Sequence, residues 1–268
     1  MASVRLAFQR LLQLVPRRGS LVAGIDSEEV RALLPKALSR VVTFGLAEDA
    51  DWRAVEAGPA GEGWRFRVLR NGEDLGLFTL QLHGEHNVRN ALAGLAAATL
   101  AGVPLESARA ALAAFGGVKR RLEVRGRVRG ITVYDDFAHH PTAVRETLRA
   151  LRHREGSAGR LIAVFEPRSY TSRTRVFQED FARAFTEADL TVVAAAHLPG
   201  KVPEAQRLSE AELVGAIAAA GGRARFVPSV DEIVAVVRDE AREGDRVAVL
   251  SNGGFGGIHE KLLAALAR

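Results

Sequence analysis

The sequence predicts an α/β fold with a mainly parallel sheet in its second half. Short apolar segments in that half are mostly separated by amphipathic stretches of about 10–15 residues. These segments lie at 131–134, 161–165, 190–195, 224–227 and 246–250. Regular alternation of strand and helix is typical of a parallel sheet covered by helices. A length of 268 residues favours two domains, and 47% hydrophobic with 26% charged residues excludes a disordered or collagen-like chain.

The first half combines parallel and antiparallel signals. We predict strands at 20–26 and 40–45, a helix from Ser27 to about Leu38, a hairpin at 64–82 around Asn71-Gly72, and helices from Glu85 and after Pro104. The last of these helices ends at Gly116-Gly117. A charged stretch follows that glycine pair. We therefore place the domain boundary after residue 122, which gives domains at 1–122 and 123–268.

The amino-terminal segment predicts an amphipathic helix and not a membrane span. Arginines interrupt its leucines and valines, and no apolar run reaches the roughly 18 residues that a bilayer requires. We therefore expect no membrane partner. A parallel-sheet domain ordinarily begins with a strand, so a helix at this position favours a domain that lacks part of its sheet.

Composition excludes several classes of chemistry. The chain has no cysteine, which removes disulfides, thiolate zinc sites, iron–sulfur clusters and cysteine nucleophiles, and agrees with a cytoplasmic location. The formal net charge of +5 would suit a nucleic-acid partner, but the arginines are distributed along the chain. Because no basic block, zinc-finger spacing or aromatic RNA-binding motif accompanies the charge, we expect no nucleic-acid partner.

A first polar motif opens the long helix that begins at Glu85. His86, Asn87 and Asn90 lie in its first turns, and the two asparagines are three residues apart, so they share a helix face. An amide both donates and accepts hydrogen bonds, as the edge of an adenine requires. The alternative is an N-cap segment whose polar side chains satisfy the first amides of the helix.

A second motif is Lys119-Arg120-Arg121-Leu122-Glu123, close to the predicted domain boundary. Adjacent guanidinium groups bind phosphate or ribose oxygens well, because they pair with such groups through two hydrogen bonds. The alternative is an exposed run of charges without a ligand.

The strongest motif follows the strand at 131–134. Asp135, Asp136, His139 and His140 emerge where that strand ends, and ligands of open α/β sheets bind at the carboxyl ends of strands. A metal site is an alternative. However, consecutive histidines point in different directions and no HExxH spacing is present, so we predict no metal ligands here.

Two further motifs also follow predicted strands. Phe165-Glu166-Pro167-Arg168-Ser169-Tyr170 places an arginine where a carboxylate could bind, and Ser251-Asn252-Gly253-Gly254-Phe255-Gly256-Gly257 allows close approach of a ligand to the backbone. The second run lacks the spacing of a GxGxxG motif. Taken singly, each could be only a tight turn.

Taken together and in this order, HNVRNALA, GVKRRLE, YDDFAHHPT, FEPRS and SNGGFGG resemble the Mur ligase family. These ATP-dependent enzymes join amino acids or peptides to UDP-N-acetylmuramic acid. The resemblance implies the C-terminal part of the family's central ATPase domain, followed by a Rossmann-like C-terminal domain with a mainly parallel sheet. Within the family, the motifs are most similar to the member that adds L-alanyl-γ-D-glutamyl-meso-diaminopimelate. The member that adds L-alanine is the alternative, and a binding module without catalysis is another.

The resemblance also implies roles for individual residues. The adenine would contact His86, Asn87 and Asn90, and the ribose and phosphates would contact Arg121 and Asp136. The tripeptide would face Arg168, Ser169, Tyr170, Ser251 and Asn252. His139 and His140 would lie near the reacting centre, and the resemblance assigns no separate role to either of them.

The implied reaction proceeds through an acyl phosphate. ATP phosphorylates the muramoyl carboxylate with the help of Mg²⁺ and a P-loop lysine, and the amine of the peptide displaces the phosphate. This sequence departs from the family because none of its four lysines stands in a Gly-Lys-Thr run. The family's UDP-binding domain and its magnesium-binding acid are also absent from the sequence. We therefore expect a fragment that is inactive alone and that works with the remaining part of the same enzyme.

Overall fold

The computed structural model describes residues 2–61, 63–152 and 159–268 and divides into two compact units. The first unit is Met1–Gly116 and the second is Gly117–Arg268. The boundary predicted from the sequence lies after residue 122. The second unit instead begins at Gly117 and therefore includes Arg120 and Arg121. Among the described residues, none of the helices combines the length and apolar character needed to cross a lipid bilayer.

The first unit contains a five-stranded sheet in the order β1-β2-β3-β4-β5. Strands β1, β2 and β3 are parallel, whereas β3, β4 and β5 are joined as antiparallel neighbours. The strands are β1 Ser20–Gly24, β2 Arg40–Gly45, β3 Trp52–Ala60, β4 Gly63–Arg70 and β5 Glu73–Leu80. The helices are α1 Ala2–Gln13, α2 Glu28–Arg31, α3 Glu85–Leu100 and α4 Leu105–Ala114.

The structure confirms the strands predicted near 20 and 40, the hairpin, and both later helices of this unit. The helix predicted from Ser27 to about Leu38 is wrong, because α2 stops at Arg31 and a separate 3-10 turn covers Leu34–Lys36. Pro35 lies within that turn, and proline cannot donate the backbone hydrogen bond that would continue an α-helix. Strand β3 was not predicted from the sequence.

Helix α3 covers one face of this sheet and closes the first core. Leu92 of α3 and Phe66 and Val68 of β4 are fully buried. Phe66 and Phe78 stack across the β4–β5 pair with ring centroids 6.1 Å apart. Such cross-strand aromatic pairs stabilise an antiparallel pair by about 0.5–1.5 kcal/mol beyond their buried area. The packing fixes α3, which carries His86, Asn87 and Asn90.

The second unit contains a six-stranded sheet in the order β10-β9-β8-β11-β7-β6. All neighbouring pairs are parallel except β6 with β7. The strands are β6 Glu123–Val128, β7 Ile131–Asp136, β8 Leu161–Phe165, β9 Leu190–Val193, β10 Ala224–Phe226 and β11 Arg246–Leu250. The helices are α5 Pro141–Arg152, α6 Gln178–Phe185, α7 Glu210–Ala219, α8 Val230–Glu240 and α9 Ile258–Leu266. The predicted mainly parallel α/β sheet is confirmed, and the antiparallel β6 is an addition.

The central strands of this sheet are buried on both faces, since β8 and β11 are buried along their whole length. One core lies under α5, α6 and α7, and the other lies under α8 and α9. Leu250 pairs in register with Asp136 of β7 and with Phe165 of β8. The three strands therefore end at the same level, and the segments that follow them emerge side by side.

Candidate functional site

The loops after β7, β8 and β11 meet at the carboxyl edge of the second sheet. The backbone N–H of Glu166 donates to the carbonyl of Leu250 at 3.1 Å, and that of Ser251 donates to the carbonyl of Asp136 at 3.1 Å. These bonds continue the ladder one residue beyond the strands. The structure thus brings together Asp135, Asp136, Arg168 and Ser251, as their positions after predicted strands suggested.

Asp136 is buried and engaged with its own surroundings. Its carboxylate accepts hydrogen bonds from the backbone N–H groups of Leu122 and Ala138, each at 2.8 Å, and from the Thr147 hydroxyl at 3.3 Å. Burial raises the pKa of Asp136, and the two backbone donors oppose that rise. The carboxylate therefore holds the segment before β6 against the loop after β7. Its role at a ribose stays a prediction.

Asp135 lies among three cationic or ionisable side chains. Its oxygens are 3.4 Å from Arg120 Nε, 3.8 Å from Arg125 Nη1 and 3.4 Å from His259 Nε2. Burial by itself would raise the pKa of Asp135, but His259 and Arg120 outweigh burial and lower it. This carboxylate is therefore ionised and anchors Arg120.

Arg120 belongs to the basic motif at 119–123 but has no individual role predicted from the sequence, and it joins two parts of the site. Its Nη2 donates to the carbonyl oxygens of Ser251 at 2.5 Å and Gly253 at 2.8 Å. Its guanidinium also lies 5.0 Å from the ring centroid of Phe137. Adjacent Arg121, the predicted ribose and phosphate ligand, is exposed and lies 5.8 Å from the same ring.

A buried carboxylate, Glu166, links the loops after β8 and β11. Glu166 is 6% exposed and accepts a hydrogen bond from Ser251 Oγ at 2.5 Å. The same Oγ accepts from the backbone N–H of Gly253 at 3.0 Å. The other Glu166 oxygen lies 3.4 Å from Arg168 Nη1. Arg168 is therefore already ion-paired, and Glu166 is a site residue that the sequence did not single out.

The remaining predicted peptide contacts differ in exposure. Tyr170 is 58% exposed, whereas Ser169 Oγ is engaged with Ser172 Oγ at 2.8 Å. Asn252 is half-buried and follows Ser251 directly. Arg173, which follows Tyr170 in the same loop, is 8% exposed and donates to the carbonyl oxygens of His197 and Leu198. In the described part of the chain, the contacts of the Arg173 guanidinium are with backbone carbonyls, so its charge has no carboxylate partner there.

The two predicted catalytic histidines have different neighbours. His139 Nδ1 lies 2.8 Å from the Phe137 carbonyl oxygen, and its ring packs edge-on against Phe137. His140 packs against Phe177 with centroids 4.7 Å apart. Burial and the neighbouring His139 lower the pKa of His140, which favours its neutral form. Their catalytic role stays a prediction.

In the first unit, His86, Asn87 and Asn90 lie together at the start of α3. Asn90 Nδ2 is 3.4 Å from Asn87 Oδ1, which confirms that the two amides share a face. Asn87 Nδ2 donates to the His83 carbonyl at 2.8 Å. The N-cap is Gly84, and no side chain caps this helix. The capping alternative therefore does not account for the asparagines, and adenine contact stays a prediction.

A magnesium ion needs several oxygen ligands at one point. Across residues 2–61, 63–152 and 159–268, no group of three or more histidine, aspartate or glutamate side chains is placed to hold a metal. A metal site built wholly from protein side chains is thus absent from the described residues, whereas magnesium commonly uses one or two carboxylates together with water and phosphate oxygens.

The fold and this polar edge define a two-unit α/β protein whose polar side chains gather at the carboxyl ends of parallel strands, where ligands of such sheets bind. Residues 1–98 match the Mur ligase middle domain, and residues 120–253 match the domain described as Mur ligase, glutamate ligase domain. The chain therefore belongs to the Mur ligase family. The family resemblance and the fold predicted from the sequence are both confirmed.

Two curated relatives represent different activities within the family. The chain is 37% identical to the Escherichia coli UDP-N-acetylmuramate–L-alanyl-γ-D-glutamyl-meso-2,6-diaminoheptandioate ligase, over 99% of this chain and 55% of that protein. It is 39% identical to an Anaeromyxobacter UDP-N-acetylmuramate–L-alanine ligase, over 98% of this chain and 57% of that protein. The chain thus spans little more than half the length of these relatives.

A solved structure agrees with this assignment. The murein peptide ligase of Psychrobacter arcticus is 32% identical and aligns with a TM-score of 0.71, over 100% of this chain and 55% of that chain. The alanine ligase of Thermotoga maritima aligns with a TM-score of 0.73 at 23% identity, which supports the fold.

Proposed function

We propose that this chain belongs to an ATP-dependent amide ligase that joins L-alanyl-γ-D-glutamyl-meso-diaminopimelate to UDP-N-acetylmuramate. The observation that carries the proposal is the group of arginines around the loops after β7, β8 and β11. Arg120 and Arg168 each have a carboxylate partner, whereas Arg173 contributes positive charge without one in the described residues. A peptide with three carboxylates suits such a site better than alanine, which has one.

The proposed reaction has two steps. The muramoyl carboxylate attacks the γ-phosphorus of ATP, which forms an acyl phosphate and releases ADP. The amine of the peptide then attacks the acyl carbon, loses a proton, and expels inorganic phosphate as the amide forms. Because the reaction consumes ATP, we place it in the cytoplasm.

This chain would contribute binding and orientation. Asn87 and Asn90 would hydrogen-bond the adenine edge, with His86 beside them, and Arg121 would approach the ribose and phosphates. Arg168, with Ser251 and Asn252, would bind the peptide. Magnesium would neutralise phosphate charge when bound, and no group of three or more histidine, aspartate or glutamate side chains among the described residues is placed to hold it.

Addition of L-alanine is the second candidate, and it is supported by 39% identity to a ligase of that name. The two candidates differ in the acceptor, since both use UDP-N-acetylmuramate. A comparison of acceptors therefore separates them.

The experiment measures acceptor binding by calorimetry on the 268-residue chain, with the tripeptide and with L-alanine, in the presence of a non-hydrolysable ATP analogue. We expect tighter binding of the tripeptide. Tighter binding of L-alanine would favour the second candidate, and binding of neither would overturn the assignment of the acceptor site to this chain. We expect no phosphate release by the chain alone, since it has no Gly-Lys-Thr run.

A further inference from the structure

The side chain of Arg168 lies directly against the backbone of Gly253. A β-carbon built on Gly253 would lie 2.0 Å from Arg168 Nε, 2.2 Å from Cδ and 2.3 Å from Cζ. Such distances are far below van der Waals contact. Any residue larger than glycine at this position would therefore occupy the space that the guanidinium now fills.

Backbone conformation does not explain this glycine. Gly256 and Gly257 of the same loop have φ angles of 57° and 68°, where glycine is favoured over other residues. Gly253 lies outside that region, as does Gly254, whose φ is −78°. The need for glycine at 253 comes from the arginine, which originates in a different loop.

The carboxylate of Glu166 restricts the guanidinium of Arg168 from a second side. Glu166 Oε1 lies 3.4 Å from Arg168 Nη1, and Glu166 Oε2 is held by the Ser251 hydroxyl. Ser251 and Gly253 are in turn held by Arg120 through their carbonyl oxygens. The glycine surface and the carboxylate thus restrict the guanidinium from two sides, and both are fixed by the same loop.

We infer that Gly253 and Glu166 are positioning residues that hold Arg168 in one orientation for a carboxylate of the acceptor. Gly253 sets the place of the guanidinium, and Glu166 sets its rotation through Nη1. Within the described part of the chain, Nη2 of Arg168 has no assigned partner, which leaves that edge for a substrate carboxylate. The inference rests on the proposed function only in naming the acceptor as the ligand of Arg168.

The test replaces Gly253 with alanine and uses Gly254→Ala as the matched control. A β-carbon on Gly254 would meet nothing within 4 Å, and its φ suits alanine. At Gly253 the new methyl group meets only the end of a flexible side chain in the nearest contacts, so the variant should fold while Arg168 moves. Tripeptide binding should weaken about tenfold or more in Gly253→Ala and remain unchanged in Gly254→Ala.

A double variant separates positioning from a general effect on the loop. In an Arg168→Ala background, Gly253→Ala should cause no further loss of binding, because the group that it displaces is absent. Additive losses would overturn the inference. Glu166→Gln, which retains an acceptor for Ser251 but loses the charge, should weaken tripeptide binding, and this variant serves as the test if Gly253→Ala does not fold.

A second readout needs no ligand. The Nε–H resonance of Arg168, assigned by its absence in Arg168→Lys, should shift or broaden in Gly253→Ala and stay in place in Gly254→Ala. Equal spectra for both glycine variants would overturn the positioning role. If instead the spectra differ as expected but Arg168→Ala binds the tripeptide normally, the positioning stands and the proposed acceptor assignment fails.

Discussion

Arg120 Nη2 donates a hydrogen bond at 2.5 Å to the backbone carbonyl of Ser251, which lies 131 residues further along the chain. The same nitrogen reaches the carbonyl of Gly253, and Asp135 balances the charge of the arginine. The segment that enters β6 is thereby fixed to the loop that follows β11. Because a guanidinium presents several donors in a rigid plane, one side chain can fix both carbonyls.

Replacement of Arg120 by alanine should destabilise the second unit. Two carbonyl oxygens lose their donor and the buried Asp135 loses an ion partner, so we expect a loss of about 2–4 kcal/mol in the free energy of unfolding. Urea denaturation followed by circular dichroism measures this loss. Arg127→Ala, on the exposed part of β6, is the control and should change stability little. Equal losses in the two variants would contradict the role given to Arg120.

Removal of the Arg168 side chain should weaken the acceptor and spare the nucleotide. Loss of a charged hydrogen-bond partner corresponds to about 1.5–3 kcal/mol, or a factor of about 10–100 in the dissociation constant of the tripeptide. Calorimetry with the tripeptide and with an ATP analogue gives both constants for Arg168→Ala. The control is Arg175→Ala, which removes an exposed pair with Glu212. Equal effects on both ligands would count against an acceptor role for Arg168.

Asn90→Ala should weaken nucleotide binding several-fold, because an adenine edge loses one amide partner worth about 1 kcal/mol. The affinity for a fluorescent ATP analogue is the measurement. Asn71→Gly is the matched control, since it removes another exposed amide at a turn where the φ of 49° suits glycine. Unchanged affinity in Asn90→Ala would remove this residue from the adenine site.

Asp136→Asn should lower the free energy of unfolding by about 1–3 kcal/mol. The carboxylate accepts from Leu122 and Ala138 through different oxygens, and an amide can accept through only one, so a buried backbone donor loses its partner. Thermal and urea unfolding measure the effect, with Asp231→Asn at an exposed pair as the control. Unaltered stability in Asp136→Asn would show that these hydrogen bonds contribute little.

The pH dependence of stability should depend in part on Asp135. Its pKa is lower in the folded protein than the ordinary value of 3.8, so the folded state binds this proton less tightly than the unfolded state. The stabilisation from Asp135 is therefore complete above about pH 5 and is lost progressively as the pH falls through 3.8 towards the lower pKa of the folded state. Urea midpoints between about pH 5 and pH 3 should fall less steeply in Asp135→Asn than in the parent protein. Parallel slopes would contradict this contribution.

The parts of the fold that could be predicted from the sequence have strong local signals. The segments 161–165 and 247–250 are continuous apolar runs, and both lie in strands buried on two faces. Strand β6, with the sequence EVRGRV, lies at the edge of the sheet and contains no apolar run. Its strand conformation depends on pairing with β7, which the local sequence does not indicate. Strand β3 includes Gly58 and Pro59, which are typical of turns, and its register shifts between Val55 and Gly58.

Some residues of the site could likewise be predicted from the sequence, and others could not. Asp135, Asp136, Arg168 and Ser251 could be placed because each follows a predicted strand. The importance of Glu166 depends on Ser251, 85 residues away, and no local pattern indicates that contact. In the sequence, Gly253 is one of several glycines in the same loop. Its particular importance follows from the side chain of Arg168, which lies against it in the structure.

Strands β7, β8 and β11 end at the same level. We therefore expect the carboxyl edge of the second sheet to tolerate no insertion or deletion within these strands. Insertion or deletion of one residue within β8 would move Glu166 by about 3.3 Å along the sheet and turn its side chain to the opposite face. The same change inside the loop 195–208 would leave the three strand ends aligned. Variation in length among proteins of this kind should therefore collect in connections such as that loop, while the strands that carry the polar edge keep a constant number of residues.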